Sequence, residues 1–355
     1  MTLPSLQIQH VDTSTDLQHV QAYNVTQGRR NLTDLYRGGT GMISGRRPDL
    51  LPTMSIGDDL IVSLNYGDLA YEFVNTYRVA DVRIIYAEVA AADTWEIDIE
   101  DAFAYLGRGT VTYTATGGDS VFDTADAACS QNGITLVENG TTLSYSSAQT
   151  ITNQNALDVF QTAANTEQAR VYAGGDNLAW YARDYWQNNL ATVTFSDDGT
   201  GDFTYNALDF GSLADNYADQ VIVYPRGTSE VVSGSGVFSY NLDSYSFDTA
   251  EAQYLGQYLL GSIGGALVKT PRPRTITYLA NTQGVPYKFA PIGALKLFAI
   301  KFRGSTYYCI AEGYQLFATP AEIRISVFLS DASFYQFLVL DDSIFGKLDE
   351  NKLGW

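Results

Sequence analysis

The segment Trp95-Glu-Ile-Asp-Ile-Glu-Asp101 decides the reading of this chain, because polar and apolar side chains alternate through it without a break. Successive side chains of a strand point to opposite faces, so Trp95, Ile97 and Ile99 are predicted to enter a core. Glu96, Asp98 and Glu100 then share the other face in steps of about 6.6 Å. Such a ladder of carboxylates suits a cation or a sugar, and it is equally the ordinary solvated side of a strand. Outward from it, Leu60 to Leu64, Glu72 to Val79 and Val82 to Val89 are apolar-rich or alternate in polarity, which marks short strands. The Gly- and Pro-punctuated stretch Arg37 to Asp49 reads as a loop around one short strand. Residues 1–100 are therefore predicted to form one small β-barrel or sandwich.

The period changes after this segment. Beyond strand-like Thr110 to Thr116, Asp119-Ser120 caps a predicted helix that runs through Ser130 and stops at Asn132-Gly133. Ala156, Leu157, Phe160, Ala163 and Ala164 recur at helical spacing up to about Thr166, with Asn153 as the expected cap. Arg170 to Tyr172 and Leu178 to Ala182 then read as a hairpin around Gly174-Gly-Asp-Asn177, which makes residues 101–190 an α+β module. Strands return from Ala191, interrupted by one helix near residues 248–262 that starts at the capping box Asp248-Thr-Ala-Glu251. Arg274 to Leu279, Leu295 to Phe302, Tyr307 to Glu312 and Glu322 to Leu329 complete a second barrel-type domain over 191–335. The remaining 336–355 is an alternating tail whose natural anchors are Leu348, Leu353 and Trp355, docking either on the same chain or on a neighbouring subunit. The predicted fold class is thus mainly β, two small β-barrel domains with an interposed α+β module.

At 355 residues the chain exceeds one ordinary hydrophobic core, which calls for two or three domains. Charged residues are only 17% of it, so much of the surface is uncharged and polar. Twenty-five tyrosines, with many Thr, Ser, Asn and Gly, suit strands and broad protein contacts. The formal net charge of −19 is concentrated: Thr114 to Gly265 carries eighteen Asp or Glu against Arg170, Arg183 and Arg226 alone. Specific nucleic-acid binding requires a basic footprint, so DNA is not a ligand. A surface that repels phosphate does suit a conduit through which DNA slides.

Reactive constellations are scarce. The histidines, His10 and His19, sit beside no nucleophile motif, and Ser233-Gly-Ser-Gly236 lacks the strand-to-helix turn of a nucleophile elbow. Cys129 and Cys309 form no CxxC pair, which excludes zinc sites built from His and Cys and points to two buried thiols. Asp197 to Asp202 lacks the sixth-place Gly and closing Glu of a calcium loop and reads as a turn. The Gly38 to Gly45 loop has no following Lys-Ser/Thr for a phosphate. No catalytic residue, metal ligand or cofactor is therefore expected. Tyr254 to Val268, the longest uncharged apolar-leaning run, is too short and Gly-broken to span a bilayer, and no secretion signal is expected at the N-terminus.

Three segments carry a resemblance. Asp49-Leu-Leu-Pro-Thr-Met-Ser-Ile-Gly-Asp58 after Ser44-Gly-Arg-Arg-Pro48, the run Asn155 to Arg183, and Phe337-Leu-Val-Leu-Asp-Asp-Ser-Ile-Phe-Gly-Lys-Leu-Asp349 together resemble the tail-hub, or baseplate-hub, proteins of tailed bacteriophages. The resemblance covers nearly the whole chain. It implies a non-enzymatic virion subunit assembled in the host cytoplasm, forming a homotrimer of two tail-tube-like barrels per chain. The resulting pseudo-sixfold ring would join the tail tube and distal tail protein to separate fibre or spike proteins, with DNA passing through unbound. Two alternatives accompany it: a distal-tail adaptor, which forms a hexameric ring, and a carbohydrate-binding module or carboxylate glycosidase built on Glu96, Asp98 and Glu100.

Overall fold

In the computed structural model of the chain, the residues described are 5–30, 34–65, 73–144, 146–174, 177–189, 191–211, 218–226, 228–246, 248–263, 271–283, 289–293 and 295–332. Mainly strands result. The first are β1 (Ser5–His10), β2 (Thr15–Asp16), β3 (Val20–Gly28), β4 (Thr40–Arg46), β5 (Asp59–Asn65), β6 (Phe73–Ile85) and β7 (Thr94–Glu100). The middle alternates α1 (Ala102–Leu106), β8 (Thr110–Ala115), α2 (Val121–Ser130), β9 (Thr135–Asn139), β10 (Gln149–Asn155), α3 (Ala156–Glu167), β11 (Arg170–Gly174), β12 (Asn177–Tyr181) and α4 (Arg183–Asn188). Then come β13 (Ala191–Ser196), β14 (Phe203–Thr204), β15 (Ala207–Gly211), β16 (Gln220–Pro225), β17 (Val231–Gly234), β18 (Ser239–Ser244), α5 (Thr249–Ile263), β19 (Arg272–Leu279), β20 (Lys296–Phe302), β21 (Ser305–Ala318) and β22 (Ile323–Asp331).

The strands expected to make two separate barrels join one fourteen-stranded sheet, in the order β14-β13-β20-β21-β3-β4-β7-β6-β5-β1-β2, to which β22, β19 and β15 attach through β21. No closed ring of strand pairing forms among the described residues. The physical cause is the length of β21. Its first half pairs with β20, and its second half, from Gly313 to Ala318, pairs with β3, while β22 flanks it from Cys309 to Ala318. The sequence pattern predicts an end to this strand at Glu312, where the register shifts between Ala311 and Gly313. A bulge bends a strand without ending it.

Two glycines permit the junction. A Cβ on Gly313 would lie 2.4 Å from the Gln27 carbonyl oxygen, and one on Gly28, which also has φ +81°, would lie 2.7 Å from the Gly313 Cα. Gly313→Ala is therefore expected to destabilise the chain by about 1–3 kcal/mol, and a urea titration checks it.

One core underlies both ends of the sheet. Tyr23, Val25, Ile43, Ile97 and Ile99 belong to the same buried cluster as Phe195, Tyr278, Phe298, Leu316 and Ile325. A second core fills the α+β segment, where Phe160 sits edge-on between Phe103 and Trp180, at 5.9 Å from each ring centroid. A third gathers Trp186, Val221, Val223, Leu255, Leu297 and Ile310, packing α5 and its small sheet against the end of the large one.

Two of the predicted caps hold and two local details differ. Ser120 caps α2 by accepting from the Phe122 N–H at 3.1 Å, and Asp248 caps α5 by accepting from the Glu251 N–H at 2.8 Å. The cap of α3 is Asn155, whose Oδ1 accepts from Leu157 and Asp158, whereas Asn153, the expected cap, lies inside β10 at φ 48°. The two strands expected over Glu72 to Val79 and Val82 to Val89 are one strand, β6, with a bulge between Val79 and Asp81.

Candidate functional site

Cross-strand partners in a sheet share a face, and the registers trace one non-core face across eight strands. Glu96 of β7 lies beside Arg83 of β6 and Ser44 of β4, and Ser44 beside Ala22 of β3. The next row is Asp81, Asp98, Met42, Asn24, Phe317, Arg324 and Leu279. The third is Glu100, Thr40, Thr26, Gln315, Ser326, Thr277 and Ala207. The opposite side of the same strands holds Ile97, Ile43, Tyr23, Leu316 and Ile325, all fully buried.

Most charge on this face lies on β6 and β7, with Arg324 on β22 and Arg46 at the end of β4 among the exceptions. The predicted ladder Glu96, Asp98 and Glu100 lies at one side, and arginines compensate it. Arg83 reaches Asp98 at 3.0 Å, Glu96 at 3.4 Å and Asp81 at 3.6 Å, and Arg108 reaches Glu100 at 2.5 Å. Glu100 is buried, which raises its pKa above the ordinary value even though Arg108 and Arg78 pull the other way. Across β4, β3, β21, β22 and β19 the three rows are Ser, Thr, Asn, Gln, Ala, Met, Phe and Leu, with Arg324 as their one charge. Of the eight strands that carry these rows, β15 alone comes from the acidic stretch Thr114 to Gly265, with Ala207 and Asp209. The face is thus polar and close to neutral rather than acidic. Leu348, Leu353 and Trp355 lie outside the described residues.

Beneath the face, a buried charge cluster ties the parts together. The Glu312 carboxylate of β21 accepts from Arg29 Nε at 2.8 Å and from Arg170 of β11, and all three side chains are at most 5% exposed. Tyr36 stacks under the Arg29 guanidinium at 4.8 Å, and Trp186 under that of Arg170 at 5.0 Å. Burial opposes ionisation of Glu312, but Arg170 and Arg29 outweigh it and bring its pKa down to about 2. Tyr36 also accepts from the Val171 N–H at 3.1 Å, so one cluster joins the segment after β3 to β11, β21 and α4. Nothing in the sequence points to this cluster, since Arg29, Arg170 and Glu312 are 141 or more residues apart along the chain at their nearest spacing.

A second network is polar. Asp101 accepts from the backbone of Gly39 at 2.7 Å and of Ala104 at 3.1 Å, and from Gln27 Nε2 at 3.3 Å. The Gln27 carbonyl in turn accepts from Asn75 and from the Tyr314 hydroxyl. Burial pushes the Asp101 carboxyl up to about 6 despite these donors. The folded chain therefore binds this proton more tightly than the unfolded one, and Asp101 is expected to make stability fall as pH rises from about 4 to about 6. Urea midpoints across that range, compared with Asp101→Asn, check the sign.

At one end of the sheet the turn between β6 and β7 projects. Ile84, Ile85, Tyr86 and Val89 are all exposed there, Tyr86 at 77% and Val89 at 64%. A run of exposed apolar side chains of this kind is uncommon on a surface that meets only water.

The fold is that of phage tail proteins. The chain is similar to the tail protein from Neisseria meningitidis MC58, at 13% identity and a TM-score of 0.67, covering 93% of this chain and 97% of that one. It is similar also to the 43 kDa tail protein of prophage MuSo2 from Shewanella oneidensis, at 12% identity and a TM-score of 0.63, over 92% and 97% of the two chains. A third similarity is to an E. coli component of the type VI secretion system that itself exhibits structural similarity to the T4 tail proteins gp27 and gp5, at 8% identity and a TM-score of 0.55, over 92% and 76%. No protein-family model matches the sequence, and no curated protein does.

Proposed function

We propose that this protein is a non-enzymatic structural subunit of a phage tail tip, a hub whose copies form a ring between the tail tube and the tip or fibre proteins. The observation that carries the reading is the near-neutral polar face that runs unbroken over strands from both ends of the chain. Double-stranded DNA binds through its phosphates to Lys and Arg, so a face of Ser, Thr, Asn and Gln lets it slide. In this reading residues 1–100 and 191–335 are the two tube-like units, 101–190 is the interposed module and 336–355 docks on a neighbour. Three chains, each carrying two such units, surround the channel with six.

Native mass spectrometry of the purified chain tests the ring: three protomers are expected. Six would favour the distal-tail adaptor, and a monomer at every concentration would remove the ring altogether. The exposed β6–β7 turn is assigned to the subunit contacts. Tyr86→Asp is expected to weaken association about ten-fold or more, since an anchoring aromatic contributes about 2 kcal/mol, while leaving the urea midpoint of the monomer unchanged.

A further inference from the structure

The turn that follows β1 brings an imidazole and two carboxylates together. His10 Nε2 lies 3.0 Å from Asp58 Oδ2, and the Asp12 carboxylate completes a group whose ligand atoms all lie within 4.8 Å of one another. His10 is 2% exposed, Asp58 is half-buried and Asp12 is open to solvent. Hydrogen bonds hold both inner side chains, at the far ring nitrogen of His10 and at the same Asp58 oxygen that faces the ring. His10 Nδ1 is bonded to Thr13 Oγ1 at 2.8 Å, and Asp58 Oδ2 accepts from the Ser55 N–H at 2.7 Å. Holding the far ring nitrogen in this way fixes the imidazole of a metal ligand.

Charge compensation sets these carboxylates apart from their neighbour. Asp59, the next residue, pairs with Arg78 at 3.6 Å. Neither Asp12 nor Asp58 pairs with a lysine or arginine among the described residues. An imidazole facing a carboxylate in a buried position needs a proton or a cation between them.

We propose that His10, Asp12 and Asp58 bind a divalent first-row transition metal, with Zn2+ the best match. A nitrogen ligand with two carboxylates selects such ions over Ca2+ and Mg2+, which take oxygen ligands. The exposed side at Asp12 leaves a coordination position for water and an entry path. Loaded with metal, the site cross-links the β1–β2 turn to the segment before β5, at the outer edge of the large sheet.

Isothermal titration of the metal-stripped full chain with ZnCl2 tests this. One saturable site per chain is expected, with Ca2+ and Mg2+ not competing. Asp12→Asn changes an exposed residue and leaves the fold intact, and it is expected to weaken Zn2+ binding at least about ten-fold. Thr13→Val is expected to cost about ten-fold through the lost ring orientation, and His10→Asn to abolish binding. His19→Asn should leave it unchanged. Both cysteines are buried and do not compete. Absence of saturable Zn2+ binding, or binding of equal strength in Asp12→Asn, overturns the site.

Discussion

Glu312→Leu is expected to destabilise the protein by about 3–5 kcal/mol, because it strands two buried guanidinium groups without their shared counter-charge. The three side chains are almost wholly desolvated, at most 5% exposed, so the loss is felt in a low-dielectric setting. Urea unfolding of the variant against the parent reads the loss. The double variant Glu312→Leu with Arg170→Met should recover part of it, since coupled sites are not additive. The same group sets an acid limit. Its folded pKa of about 2 lies below its unfolded value near 4.5, so its contribution is complete above the unfolded value and disappears as pH falls through about 2. The parent should lose stability over that acid range, and Glu312→Leu should not show this component. The sign is opposite to that of Asp101, whose effect falls at higher pH.

The second large effect concerns DNA. Thr40 and Gln315 are exposed, lie in one row of the neutral face, and are separated by Thr26. Lysine at both positions adds two cations per chain to that row. The parent assembly is expected to leave a short duplex unbound, whereas Thr40→Lys with Gln315→Lys should bind it with a salt slope of about −0.9 for each phosphate that a new lysine neutralises. Fluorescence anisotropy across a salt series measures both. Val232→Lys with Val237→Lys, in and beside the separate β16–β18 sheet, adds the same two cations as a matched control and should leave DNA unbound. Equal binding by the control would mean that charge alone, and not the face, decides the outcome.

Much of the secondary structure is legible in the sequence because its signals are local. The alternation of Trp95 to Ile99 needs only a buried side and a wet side, and β7 shows both, while Glu100, expected on the wet side, is buried. Ser120 and Asp248 act within three residues of themselves. The topology is not legible in the same way. That β21 continues past Glu312 depends on Gly28 fitting against Gly313, and these residues are remote in sequence. A glycine that permits close backbone approach looks, in a sequence, like one that ends a strand. The short helices α1 and α4 escape a sequence reading because five or six residues do not establish a helical period. The carboxylate ladder is visible as a pattern, but its neutralisation by Arg83 comes from a strand paired with it across the sheet. The neutral centre of the face is invisible in the sequence, since it exists only once eight strands are in register.

Whether this face borders the path of the DNA is tested most directly by a photo-crosslinking amino acid placed at Thr26 or Gln315, and in parallel at Val232, in virions triggered to eject. Covalent adducts to DNA from Thr26 and Gln315 but none from Val232 are predicted; adducts from Val232 alone, or from none of the three, would contradict it.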